Sequence, residues 1–205
     1  MKIIKVDVKN PQKEAIKKAA EVLRIGGVVV YPTETLYGLG ANPFDSQALY
    51  KVFEIKGRDI SKPISLAFRD MEQLEKFVAI TPNARMLIEK FLPGPLTLIL
   101  PAKLHMDDIL GGDKIGVRIP DNKVAIELLK EVKFPLTATS ANFSGGKDPV
   151  TAKEAVEQIG DKVDLILDAG KCKYGKPSTV VDLSSGEIEV VREGVISKEE
   201  LLKKY

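Results

Sequence analysis

Reactive side chains are scarce in this chain of 205 residues. It holds one histidine (His105), one cysteine (Cys172) and no tryptophan. A His/Cys metal cluster and a disulfide framework are therefore excluded within one chain. A Ser-His-Asp triad would have to use His105, which lies in the polar stretch Lys103-Leu104-His105-Met106-Asp107-Asp108 and reads as a loop or surface histidine. An unpaired cysteine fits a reducing compartment. No charge of one sign dominates: 31 Lys and Arg against 29 Asp and Glu leave a net charge of +2. A global electrostatic footprint for nucleic acid is missing, so any anion site must be local. No apolar run approaches membrane-spanning length. The start, Met1-Lys2-Ile3-Ile4-Lys5-Val6-Asp7, lacks the apolar region of a signal peptide. The expectation is a soluble, cytoplasmic protein.

What is present suffices for one core. With 44% hydrophobic and 29% charged residues, the composition is globular, and residues 1–205 read as a single domain. The cations are unevenly chosen, 25 Lys against 6 Arg. Lysine is the usual solvating cation, whereas the planar fork of arginine suits carboxylate and phosphate, so a chain sparing of arginine is placing it. Arg24, Arg69 and Arg85 fall in or beside helical patterns and read as solvated charges. Arg58, Arg118 and Arg192 fall at strand ends or loops.

Apolar periodicity predicts strands at 3–6, 28–31, 64–68, 96–100, 115–119, 135–139, 164–168, 179–183 and 187–192. Helices are expected after Asn10-Pro11 up to Gly26-Gly27, from Asp45 or Ser46 to near Lys56-Gly57, around 70–77, 82–91 and 122–131, from Thr151, and as a short C-terminal helix over 197–204. Pro32 to Gly40 is expected to be a loop. Strands and helices mix without strict alternation, which argues for an α/β fold on one mixed sheet with covering helices.

Four strand-end segments could carry chemistry. Pro32 to Gly40 puts two Thr, one Glu, one Tyr and two Gly after a buried strand, where open α/β sheets bind ligands; a plain Pro/Gly turn would use similar residues. Lys56-Gly57-Arg58-Asp59-Ile60-Ser61-Lys62-Pro63 places three cations at a helix end, as a phosphate or carboxylate clamp would, although the helix dipole alone favours cations there. Thr137 to Gly146 runs a strand into small hydroxyl residues and glycines that could form an anion-binding nest, without Walker A or dinucleotide spacing. Gly170 to Thr179 carries Lys171, Lys173 and Lys176 without an acid. Arg118, flanked by strand apolars, needs either solvent or a cavity with a partner, and Arg192 is similarly placed. With no acid/base histidine, no nucleophilic cysteine and no metal cluster, such loops favour chemistry by positioning and charge neutralisation, as in phosphoryl or nucleotidyl transfer.

Pro32-Thr33-Glu34-Thr35-Leu36-Tyr37-Gly38-Leu39-Gly40, Lys56-Gly57-Arg58, Pro93-Gly94-Pro95-Leu96-Thr97, Val117-Arg118-Ile119-Pro120, Ser140-Ala141-Asn142 with Ser144-Gly145, and Ser178-Thr179-Val180, in this order over roughly residues 10–194, closely resemble the YrdC/TsaC family of threonylcarbamoyl-AMP synthases. The resemblance implies a twisted mixed sheet with helices around a positively lined cavity. It implies conversion of L-threonine, bicarbonate or CO2 and ATP, with Mg²⁺, to threonylcarbamoyl-AMP and pyrophosphate. A threonylcarbamoyl-transferase complex would then act on tRNA. By the same resemblance Thr35, Arg118, Ser178 and the backbone near Ala138 are threonine contacts. Arg58, Lys62, Ser140 and Arg192 are nucleotide contacts, joined by Asn142, and Lys56 with Arg58 forms the catalytic pair. No resident metal site is implied; Mg²⁺ would be held mainly by ATP phosphates. The chain departs from the pattern at Ala67, where many members carry His, and at Thr139, where Pro is common. It resembles the short branch, without a second domain. The competing reading is a module binding double-stranded RNA or tRNA, with the 171–176 lysines on phosphates; the near-neutral charge and the lack of an aromatic stacking stripe argue against it.

Overall fold

Residues 2–203 are described by a computed structural model. The mixed α/β class is as expected, but the strands divide between two mixed sheets. The first holds, in spatial order, β1 (Lys2–Lys5), β9 (Leu165–Asp168), β2 (Val29–Tyr31), β3 (Gly38–Gly40) and β8 (Thr139–Ser140). The second holds β11 (Glu189–Arg192), β10 (Thr179–Asp182), β5 (Leu96–Pro101), β6 (Lys114–Arg118), β4 (Leu66–Ala67) and β7 (Leu136–Thr137).

Helix α1 (Lys13–Arg24) buries Ala15, Ile16, Ala19, Ala20 and Leu23, the face its spacing dictates. It packs with α5 (Lys123–Val132) on Val29, Tyr31, Leu165 and Leu167. Helix α2 (Ser46–Lys56) starts where the Asp45 carboxylate accepts from the backbone N–H groups of Gln47 and Ala48. It ends at Gly57, whose φ of 55° is the left-handed stop that glycine favours. Helix α4 (Pro82–Phe91) opens with Pro at its first turn and Thr81 as cap. Helix α6 (Ala152–Ile159) carries a complete capping box between Thr151 and Glu154.

Several expected elements change. The segment 32–40 is not all loop: Gly38–Gly40 forms β3, antiparallel to β2. A Cβ at Gly40 would lie 2.9 Å from the Tyr31 ring, so strand pairing here depends on residues that read as a turn. The strand expected over 64–68 is reduced to β4, and the helix expected over 70–77 to the single turn α3 (Met71–Leu74). The strand expected over 135–139 splits at Ala138. β7 pairs with β4 in the second sheet, whereas β8 pairs with β3 in the first. The chain crosses between sheets at this point, and Ala138 N–H donates to the Ser65 carbonyl at 2.7 Å. The last helix, α7, is Lys198–Leu202 behind the Ser197 cap; residue 204 of its expected span lies outside the described residues. Among these, no helix is long and apolar enough to cross a membrane.

Candidate functional site

The two sheets together line a cavity of about 510 Å³. Tyr31 and Gly38 come from the first sheet, Ala67, Thr97, Arg118 and Arg192 from the second, and Ala138 from the crossover. Three of the six arginines, Arg58, Arg118 and Arg192, face this space. The other three sit in ion pairs elsewhere, Arg24 with Glu131, Arg69 with Asp70 and Arg85 with Glu75.

Each cavity arginine is oriented by fixed acceptors. Arg118 is 7% exposed; its Nη2 donates to Glu34 Oε1 at 2.6 Å and its Nη1 to Thr35 Oγ1 at 3.1 Å. Arg58 donates from Nε to the Lys62 carbonyl at 2.8 Å and from Nη2 to the Pro63 carbonyl at 3.1 Å. Arg192, on the exposed rim, donates from Nη2 to the Ser178 carbonyl at 2.8 Å. Burial first, and then the charge of Arg192, pull the Arg58 pKa below its usual value. Like charges so held repel until an anion enters. Asp148 is the only carboxylate lining the cavity among the described residues, and no hydrogen bond or ion pair engages it.

Seven of the sequence-derived candidates face the cavity: Thr35, Arg58, Arg118, Ala138, Ser140, Ser178 and Arg192. Three do not. The Lys56 ammonium is buried and donates to the Ser140 carbonyl at 2.5 Å, the Asn142 carbonyl at 2.8 Å and Asn142 Oδ1 at 3.1 Å. Its three hydrogens are thereby spent. Burial, and then the Arg58 charge, lower its pKa to about 8. Asn142 accepts from Ser140 Oγ and donates to the Gly146 and Lys147 carbonyls, shaping the loop. Lys62 is exposed; its carbonyl accepts from Arg58 and its N–H donates to the Asp59 carbonyl. Lys171, Lys173 and Lys176 are exposed and do not line the cavity. His105 is an exposed histidine whose Nδ1 lies 2.7 Å from Asp113 Oδ1.

Sequence reasoning missed two carboxylates. Glu34 had a usable signal: an acid directly behind a buried strand and an arginine inside an apolar strand each require a partner. Asp148, in Lys147-Asp148-Pro149, had none. Its place comes from clamped neighbours, since the Lys147 carbonyl accepts from Gln158 Nε2 and the Pro149 carbonyl from Tyr37 N–H.

Two mixed sheets meeting at a cavity of arginines, hydroxyls and apolar walls define an α/β protein with a cationic cleft between its sheets. The Sua5/YciO/YrdC family, described as telomere recombination, matches residues 21–194, and the chain belongs to that family. A Methanocaldococcus jannaschii protein is 42% identical over 206 residues, covering 98% of this chain and 97% of that one. The threonylcarbamoyl-AMP synthase of Chromobacterium violaceum is 35% identical, covering 87% and 93%. Among solved structures, Pyrococcus abyssi Sua5 complexed with L-threonine superposes with a TM-score of 0.93 at 37% identity, over 98% of this chain and 60% of that longer one. Escherichia coli YciO does so with a TM-score of 0.89 at 31% identity, over 98% and 100%.

Proposed function

We propose that the cavity condenses L-threonine, bicarbonate or CO2 and ATP into threonylcarbamoyl-AMP with release of pyrophosphate. The observation that carries this reading is the convergence of Arg58, Arg118 and Arg192 on one cavity. The deprotonated amine of threonine adds to CO2, its proton passing to solvent, or to bicarbonate with loss of water. The resulting carbamate is already a nucleophile, and as its oxygen bonds the α-phosphorus the α–β phosphoanhydride bond breaks and pyrophosphate leaves. What the protein must supply is position and charge neutralisation. Arg118, Thr35, Ser178 and the wall at Ala138 hold the amino acid, while Arg58, Arg192 and Ser140 hold the nucleotide. Lys56 and Asn142 act by shaping the Ser140 loop, and Lys62 by giving its carbonyl to Arg58.

Magnesium fits this cavity only as a passenger on the triphosphate. Among the described residues no group of three or more His, Cys, Asp or Glu could hold a metal, and Asp148 is the one carboxylate lining the space. Carried in by the nucleotide, the ion would add neutralisation of phosphate charge. The product would pass, in the cytoplasm, to a threonylcarbamoyl-transferase complex that modifies tRNA.

The test is pyrophosphate release from ATP, Mg²⁺ and bicarbonate, with and without L-threonine. Threonine-dependent release that falls by about 10²-fold or more in Arg58→Ala is expected. Release that needs ATP but not threonine would count against the reading.

A further inference from the structure

Edge strand β11 carries one residue more than its ladder with β10 can pair. Val181 lies opposite Val190, but the next step along β10, to Val180, meets Arg192, so Val191 has no partner. Opposite residues of a ladder share a face. Val181 is buried in the main core and Val190 packs against it, whereas Val180, Val191 and Arg192 all line the cavity. In a regular strand residues two apart face the same way, and Arg192 would follow Val190 toward the core. The bulge at Val191 turns the guanidinium to the cavity instead.

The extra residue is trapped because the chain is fixed on both sides of it. Upstream, the ladder holds Glu189 and Val190. Downstream, Thr179 of β10, 0% exposed, holds the turn that follows β11. Its Oγ1 donates to the Ile196 carbonyl at 2.6 Å and accepts from Gly194 N–H at 2.9 Å and Ile196 N–H at 3.0 Å. The one hydrogen and two lone pairs of a threonine hydroxyl are thereby used in full. Val195 N–H donates to the Pro177 carbonyl at 3.0 Å. A Cβ at Gly194 would lie 2.2 Å from that same carbonyl oxygen, so the turn closes this tightly on glycine alone.

We propose that Thr179 and Gly194 are positioning residues for the nucleotide: by anchoring the turn after β11 they hold the Val191 bulge and so aim Arg192 into the cavity. This rests on the assignment of Arg192 to the nucleotide above. Neither residue lines the cavity, so their effect on a phosphate passes through a neighbour, and Arg192 is the cationic one.

Calorimetric binding of α,β-methylene-ATP with Mg²⁺ to the full chain tests this in wild type, Thr179→Val, Thr179→Ser, Arg192→Ala and the double variant Thr179→Val/Arg192→Ala. Arg192→Ala is expected to weaken binding by about tenfold or more, as a charge-assisted contact is lost. Thr179→Val should reproduce most of that loss, about fivefold or more, while Thr179→Ser keeps the hydroxyl and stays within about twofold of wild type. On the Arg192→Ala background Thr179→Val should add less than about twofold, because the two changes share one path. A merely structural disturbance lowers affinity by the same factor on both backgrounds, and that result overturns the inference. Wild-type affinity in Thr179→Val overturns it too and leaves the nucleotide reading standing. Wild-type affinity in Arg192→Ala removes Arg192 from that reading, and the inference falls with it. Should circular dichroism show Thr179→Val unfolded, amide exchange in wild type decides. Nucleotide should then slow exchange at Gly194 and Ile196 N–H by about threefold or more, and unchanged rates overturn the inference.

Discussion

Arg118 and Glu34 share a 2.6 Å charge-assisted hydrogen bond, yet Arg118 Nε and Glu34 Oε2 have no partner. Two charges have been taken out of water for one strong contact, so neither residue tolerates loss of the other. Glu34→Ala is expected to cost about 3–5 kcal/mol in urea unfolding; a loss near zero would mean that the cavity hydrates Arg118 without help. Lys56 gives a pH test. Its pKa falls from an ordinary 10.5 to about 8 in the folded protein. Below about 8 both folded and unfolded chains carry the proton, and the fold bears the cost of burying it. Between about 8 and 10.5 the unfolded chain binds more protons, so this residue makes stability rise with pH. Unfolding midpoints followed across that window should climb less steeply for Lys56→Met than for wild type. The chain's economy with arginine was legible as placement; which arginine would find a buried acid was not, because Glu34 and Arg118 are 84 residues apart in sequence.

Helix α6 shows how an element reaches the cavity without touching it. Thr151 Oγ1 accepts from Glu154 N–H, and Glu154 Oε2 accepts from Val150 and Thr151 N–H. The Lys147 ammonium bonds the same carboxylate at 2.8 Å. These contacts fix the end of the loop that bears Asp148. The Lys147 ammonium, followed by the Val150 N–H, holds the Glu154 carboxyl down at about 2, from an ordinary 4.5. Stability from this group is present above about 4.5 and lost as pH falls toward about 2. Glu154→Gln should remove that part of the acid transition, as circular dichroism across the window would show. Thr151→Ala is expected to cost about 1 kcal/mol in thermal or urea unfolding. Caps of this kind were legible because they are local chemistry: Asp45, Thr151 and Ser197 each start a helix as the sequence indicates. Strand β3 was not, since Gly-Leu-Gly has no strand propensity and is recruited by the Tyr31 ring it lies against. The split of β7 from β8 was equally hidden, because which sheet a strand joins is decided by distant partners.

At the scale of the molecule, near-neutral total charge conceals a locally cationic interior. Nucleotide affinity should fall as salt is raised, through the exposed Arg192 more than the half-buried Arg58. Nucleotide at about 100 times its dissociation constant should raise unfolding stability by about 2.7 kcal/mol. Adenosine, without phosphates, should give far less at equal concentration; equal shifts would remove the arginines from the account. The α/β class and the polar strand ends could be read from sequence, whereas the division into two sheets could not, since periodicity shows which face is buried and not which neighbour buries it. The crossover at Ala138 makes the seam between the sheets also part of the cavity wall. A molecule bound there would touch both sheets and act as a rivet, its binding energy opposing their parting. The amides of Ala138 and Ala141, which donate to the Ser65 and Tyr37 carbonyls on the second and first sheet respectively, flank the seam and should exchange with solvent more slowly by the same factor as the ligand slows global opening.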